Sequence, residues 1–268
     1  MSKGDLDRAF GRSAFGDDPA AYHSARPPYP EALWVRLADR CGPWAGTPVF
    51  EVGPGTGIAT ERLLATGANP LLAIEPDARM ASFLEQRLGS PALDVLNATF
   101  ETAVLPQGQF QLGISATAFH WLDQAPSLAK AFQALTSGGL WAMWWNNFGT
   151  EDAPDPFHRA TSHLFAEAPR APAHGQKGGR SFATDRDARL ADLAAAGFAA
   201  GEVDFWPWTA RLETPQLVAL YATYSPIMAL PPDARARLLD GVAAIADRDF
   251  GGLVERPFST ILYTARRP

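Results

Sequence analysis

Residues 48–75 read PVFEVGPGTGIATERLLATGANPLLAIE, and this stretch decides the fold. Val49 to Val52 is a short apolar run, and Gly53, Gly55 and Gly57 form a glycine-rich turn. Ile58 to Thr66 has the period of an amphipathic helix, and Pro70 to Glu75 is a second apolar run ending in an acid. Strand, tight turn, helix and strand in that order are the first half of a nucleotide-binding βαβ unit. Glycines without Cβ atoms let a ligand approach the backbone, and the helix that follows offers unpaired N–H groups. A dinucleotide fingerprint needs a third glycine where this chain has Ile58, and no Gly-Lys-Ser/Thr follows, so the turn is not a Walker loop.

Two acids frame the turn. Glu51, at the end of the first strand, repels a pyrophosphate but suits a ligand that carries an ammonium and a sulfonium. Glu75, at the end of the second strand, is placed to accept hydrogen bonds from two ribose hydroxyls. A plainer role for Glu75 is an acid near a helix N-terminus, favoured by the macrodipole.

Composition narrows the remaining choices. The chain has 268 residues, 47% hydrophobic and 11% aromatic, enough for one large α/β domain with insertions. Basic residues number 23 against 29 acidic, a net charge of -6 with no long run of one sign, which argues against nucleic acid as the partner. The single cysteine, Cys41, fits a reducing compartment. The first residues lack the apolar core of a signal peptide, and no apolar run approaches the ~20 residues needed to span a bilayer. The expectation is a cytoplasmic protein without a membrane partner; its oligomeric state is left open.

Residues 1–18 are polar and read as a loose or late-docking arm. Tyr22 to Pro30 reads as a proline-stiffened extended segment that displays Tyr22, Arg26 and Tyr29 as candidate substrate contacts, before a helix from Pro30 to Arg40. Beyond Glu75 the pattern predicts a helix from Asp77 to Leu88, a strand from Ala92 to Leu96 and a strand from Phe110 to Ala116. A helix from Gln124 to Thr136, closed by Gly138 and Gly139, leads to a strand from Leu140 to Trp145. This alternation specifies a parallel sheet with helices on both faces.

A Pro-, Gly- and Ala-rich insertion spans 149–183, with a helix from Phe157 to Glu167. Then come a helix from Asp187 to Ala196, a strand from Glu202 to Leu212, helices from Pro215 to Tyr224 and Pro232 to Asp247, and a last strand from Val254 to Ala265. The expected organisation is an arm and helix (1–40), a cofactor-binding core (41–148), a lid insertion (149–183) and a completion of the core (184–268) with a helical insertion at 213–250. If the sixth strand is parallel to the others, both insertions leave the carboxyl edge of the sheet, where ligands of such folds bind. A lid that closes would hinge at Gly149 or at Gly178 and Gly179.

Val49-Phe-Glu-Val-Gly-Pro-Gly-Thr-Gly57 resembles the first motif of class I S-adenosylmethionine-dependent methyltransferases, and Leu72-Ala-Ile-Glu-Pro-Asp77 resembles the second. Ser115-Ala-Thr-Ala-Phe-His-Trp-Leu-Asp123 and the Tyr22 to Pro30 segment are similar to the small-molecule branch that includes trans-aconitate methyltransferase-like proteins. The resemblance implies a Rossmann-like fold with a mostly parallel seven-stranded sheet. It implies that Glu51, Gly53, Gly55, Thr56 and Gly57 hold the methionine part of S-adenosylmethionine, or of its product S-adenosylhomocysteine. Glu75 would hold the ribose, Pro76 and Met80 would lie beside the adenosine, Thr99 and Phe100 would flank the adenine, and Ala116 would also touch the cofactor. Many relatives carry an aspartate where this chain has Asn97 or Ala98, which leaves the contact to the adenine amine open.

Methyl transfer is an in-line displacement in which charge is neutralised, so alignment of the reacting groups supplies much of the catalysis. His120, at the carboxyl end of the fourth strand, could deprotonate or orient an acceptor, or it could pack beneath the cofactor. Trp121 and Trp145 follow strand ends and are candidates for an apolar acceptor pocket; core packing is the alternative. Arg26, Lys177 and Arg180 could clamp a carboxylate or remain solvated. No Cys/His cluster has metal spacing: His158 and His163 are five apart, not four. The expected function is methyl transfer from S-adenosylmethionine to an oxygen, nitrogen or carbon of a small molecule. The alternatives are a nicotinamide-dependent oxidoreductase, disfavoured by Ile58 and Glu51, and a non-catalytic cofactor-binding module.

Overall fold

A computed structural model describes residues 4–149, 155–175 and 180–268. Asp18 accepts a hydrogen bond from the Ala21 N–H and Pro19 takes the first helical position, so helix α1 (Pro19–Ala25) starts there. Pro27 and Pro28 lack N–H groups and prevent its continuation. Only the end of the Tyr22 to Pro30 segment is therefore extended: Tyr22 lies on a helix, contrary to the sequence expectation. Helix α2 (Glu31–Cys41) then packs Leu33, Trp34 and Leu37 onto the sheet.

The core alternates as β1 (Val49–Val52), α3 (Ile58–Ala65), β2 (Leu71–Glu75), α4 (Ala78–Leu88), β3 (Leu93–Asn97), β4 (Phe110–Ala116), α5 (Gln124–Ala134) and β5 (Leu135–Phe148). After β5 come α6 (Pro156–Thr161), α7 (Arg186–Ala195), β6 (Glu202–Glu213), α8 (Thr214–Ala222), α9 (Ser225–Met228), α10 (Pro232–Phe250) and β7 (Leu253–Arg266). Among the described residues these strands form one seven-stranded sheet in the order β3-β2-β1-β4-β5-β7-β6. The strands β1 to β5 are mutually parallel, and β7 is antiparallel to both β5 and β6. It follows that β6 runs parallel to the first five, and that the segments after β5 and after β6 both rise from the carboxyl edge.

One expectation fails at α5, which stops at Ala134 instead of running to Thr136. Leu135 already pairs with Phe110, and the register jumps to Leu112↔Leu140. Gly138, with φ 77, donates its N–H to the Arg267 carbonyl, and Gly139 accepts from the Arg267 N–H. The glycine pair thus shapes an irregularity at the start of a strand and ties it to the chain's end; it is not a helix cap.

Alternation along β5 sends Trp141, Met143 and Trp145 to one face of the sheet and Leu140, Ala142 and Trp144 to the other. Each set joins its own apolar cluster, covered by α5 and α7 on one side and by α2 and α3 on the other. A third cluster lies at the carboxyl edge of the sheet, where Phe157 of α6, Leu217 and Tyr221 of α8, and Leu238 and Val242 of α10 meet Val254 of β7. Arg256, 1% exposed, lies beside it: its guanidinium pairs with Asp155 at 3.3 Å, donates to the Tyr221 hydroxyl and covers the Phe148 and Phe157 rings. Asp155 also caps α6 by accepting the His158 N–H at 2.8 Å. Among the described residues, no helix is long and apolar enough to cross a membrane.

Removing one partner of such a buried pair strands the other charge. Arg256→Met is expected to lower the unfolding free energy by about 3–5 kcal/mol, read as a fall in the urea midpoint, and adding Asp155→Asn to recover part of it. A loss for Arg256→Met under about 1 kcal/mol would show that the pair does not anchor the helices above β7.

Candidate functional site

A cavity of about 700 Å³ opens at the carboxyl edge of the sheet, between the glycine turn, the amino-terminal arm and the chain from α8 to α9. Gly53, Gly55, Thr56, Glu75, Pro76, Met80, Thr99, Phe100 and Ala116 line one half. Tyr22, Arg26, Tyr29, His120, Trp121 and Trp145 line the other. Glu51 and Gly57 are not on its wall.

Glu75 organises the first half. Its Oε2 accepts the Gly55 N–H at 2.9 Å and its Oε1 accepts the Asp77 N–H at 3.0 Å. Burial raises its pKa to about 7 against those two bonds, with the Asp77 charge adding to the rise. Gly55, at φ 57, has open space where a Cβ would stand, whereas a Cβ on Gly53 would come within 2.5 Å of Ala118. Gly55 thus leaves room for a ligand, and Gly53 lets two loops touch.

Gly57 serves packing, since a Cβ there would lie 2.3 Å from Leu84 of α4. Glu51 differs from its sequence expectation too. It is fully buried behind the turn: its Oε2 accepts from the Thr60 hydroxyl at 2.7 Å, and its Oε1 has no partner among the described residues. Burial lifts its pKa to about 7, opposed by Thr60 and reinforced by Glu75, so it is not a fixed anion facing a ligand.

The remaining residues of this half are held by neighbours. His23 Nδ1 lies 3.0 Å from the Thr56 hydroxyl. The Phe100 ring is 2% exposed and stacks on Phe50 at 6.4 Å, so its surface is shared between core and cavity. Asn97 donates to the Glu75 and Pro76 carbonyls at 2.9 and 3.2 Å. That use secures the end of β2 and occupies the amide that would otherwise be free for an adenine.

In the other half, the Trp145 indole N–H donates to His120 Nδ1 at 3.0 Å. With Nδ1 accepting, the neutral ring carries its proton on Nε2. Burial, helped by Arg26 and His174, drives the His120 pKa down to about 3. His120 is thus a hydrogen-bond donor, and the role of base considered from the sequence does not fit it. His174 Nδ1 lies within reach of both the Ala171 N–H, at 2.9 Å, and the Ala171 carbonyl, at 3.2 Å. Trp145 is 2% exposed, and Trp121 is covered on one side by Phe10, Gly11 and Phe15 of the arm.

Arg26 donates to the Thr223 carbonyl at 2.8 Å, lies over the Tyr22 and Tyr224 rings, and among the described residues its Nε has no partner. Arg170 also lines the cavity, whereas Arg180 is exposed and off its wall. Lys177, Gly178 and Gly179 lie outside the described residues. Among the described residues no His, Cys, Asp and Glu group has the geometry of a metal site.

Sequence reasoning missed the side chains that hold the loops. Arg87 donates to the Thr56 and Gly57 carbonyls, and Lys130 to those of Phe100, Glu101 and Ala103. The arm docks through Arg12 on Glu101 at 3.1 Å, Arg79 on Asp17, and the Leu6 N–H on the Arg170 carbonyl. Only the aromatics Phe10 and Phe15 in an otherwise polar segment signalled that it would dock.

Comparison with known proteins agrees with this geometry. Residues 50–143 match the methyltransferase domain family. An uncharacterized methyltransferase of Mycobacterium tuberculosis is 33% identical over 135 residues, 50% of this chain and 52% of that protein, so the chain spans about half the length of that curated relative. A structure from Anaeromyxobacter dehalogenans, described as a type II methyltransferase, aligns with a TM-score of 0.62 at 20% identity, over 90% of this chain and 98% of that one. The Haemonchus contortus phosphoethanolamine N-methyltransferase 2, bound to S-adenosylhomocysteine, aligns at 0.59 and 12% identity over 94% of this chain and 57% of that one. The chain therefore has the Rossmann-like fold of the class I methyltransferases, and its residues 50–143 are similar to the methyltransferase domain family.

Proposed function

We propose that this chain transfers a methyl group from S-adenosylmethionine to a small molecule, releasing S-adenosylhomocysteine, in the manner of the branch that includes trans-aconitate methyltransferase-like proteins. The observation that carries this reading is the Gly55–Glu75 contact at one end of a cavity whose other end is aromatic and cationic. The residues fit the cofactor: space is left open over Gly55, and a buried carboxylate stands at the strand end where ribose hydroxyls are held in such folds. When bound, S-adenosylmethionine supplies an electrophilic methyl group that an acceptor displaces in line.

The chain's own residues restrict the acceptor. Among the described residues, the acidic side chains on the cavity wall are Glu75, Asp77 and Glu101, all in the cofactor half, whereas Arg26 and Arg170 line the acceptor half. His120 presents an N–H donor there and not a base. An acceptor must then arrive already nucleophilic, which a carboxylate does at neutral pH and a phenol or ammonium does not. Arg26 binds the anion, the His120 Nε2–H orients it, and Tyr22, Trp121 and Trp145 exclude water around it.

Calorimetry with S-adenosylhomocysteine tests the cofactor assignment. Wild type is expected to bind and Glu75→Ala to bind about tenfold or more weakly; absence of wild-type binding would overturn the assignment. Only the ionised Glu75 can accept two hydroxyls while keeping the Gly55 and Asp77 N–H bonds. Its raised pKa means that affinity should increase as pH goes from 6 to 8, through the value of about 7; a flat profile would argue against the ribose contact. With S-adenosylmethionine and a panel of carboxylic acids, phenols and amines, turnover is expected on acids, and Arg26→Leu should raise KM about tenfold or more. Turnover confined to amines would refute the acceptor class.

A further inference from the structure

Thr117 lies on the cavity wall between Ala116 and Ala118 with φ 58, and among the described residues it is the one non-glycine residue with positive φ. For a β-branched residue this conformation is an outlier, whereas glycine adopts it freely. Strained positions of this kind concentrate where surrounding structure has a use for them. The reason for a threonine here is its hydroxyl, which lies 2.9 Å from the hydroxyl of Tyr29.

Tyr29 is itself fixed, its ring edge-on to Trp144 at 5.7 Å and to Trp34 at 6.3 Å. The other constraints on the turn come from the sheet and the glycine loop. The Thr117 N–H donates to the Trp144 carbonyl at 2.7 Å, and Ala118 sits where a Cβ on Gly53 would meet it at 2.5 Å.

We infer that Thr117, tied by the Tyr29 hydroxyl, is a positioning residue that holds the turn after β4 against the Gly53 loop, so that the two strand ends bounding the reacting groups keep a fixed separation. Tyr29, expected from the sequence to touch substrate, acts through Thr117. The inference deepens the methyltransferase reading and takes its binding readout from it.

The test uses Thr117→Gly, Thr117→Ser and Tyr29→Phe in the full chain, with melting temperature to certify folding and S-adenosylhomocysteine calorimetry to read positioning. Thr117→Gly removes both the strain and the hydroxyl; it should stay folded and bind about fivefold or more weakly, as should Tyr29→Phe, while Thr117→Ser stays within about twofold of wild type. Unchanged affinity in Thr117→Gly, or a Thr117→Ser as weak as Thr117→Gly, would overturn the inference. If wild type binds no S-adenosylhomocysteine, the methyltransferase reading fails by itself. Amide exchange over residues 116–119 then decides: faster exchange in Tyr29→Phe than in wild type supports the tie, and equal rates overturn it.

Discussion

The two-sided hydrogen bonding of Glu75 is the constraint on which the site depends. One carboxylate accepts the Gly55 N–H from the loop after β1 and the Asp77 N–H from the loop after β2. Two loops that face different parts of a ligand are thereby set relative to each other by a single side chain. The arrangement requires a carboxylate with little access to water, and its ionisation accordingly moves close to neutrality. Around it, Arg87 and Asn97 satisfy carbonyls of the same two loops, and Lys130 satisfies those of the loop after β3.

The fold was largely legible because the two signals that define it are local. Short apolar runs and period-3.6 stretches located every strand and most helices, many within a residue or two, although β5 is longer at both ends than expected, α6 stops at Thr161 and not at Glu167, and α10 runs on to Phe250. The exceptions are informative. The helix at Gln124 lost its last residues because Leu135 found a strand partner, Phe110, far away in sequence. Tyr22 turned out helical because the capping acid and proline at 18–19 outweighed the prolines at 27–28.

The site was legible where a motif constrains backbone, as at Gly55 and Glu75, and illegible where side-chain partners decide the chemistry. Nothing local to His120 announces that Trp145, twenty-five residues later, will donate to its Nδ1 and turn a candidate base into a donor. Glu51 was placed correctly at its strand end, yet the sequence could not show that Thr60 would take one oxygen and burial the other. The arm is similar: its contacts are long-range charge pairs and a glycine seated on an indole, neither of which has a periodicity to read.

The helices above the sheet pack around an apolar cluster of their own, pinned to β7 through Arg256 and Asp155, while the cofactor wall belongs to the clusters beneath. Substitutions in α8 and α9 that reshape their end of the cavity therefore draw on a different apolar cluster from the one behind Gly55 and Glu75, so the two ends of the cavity can be altered one at a time.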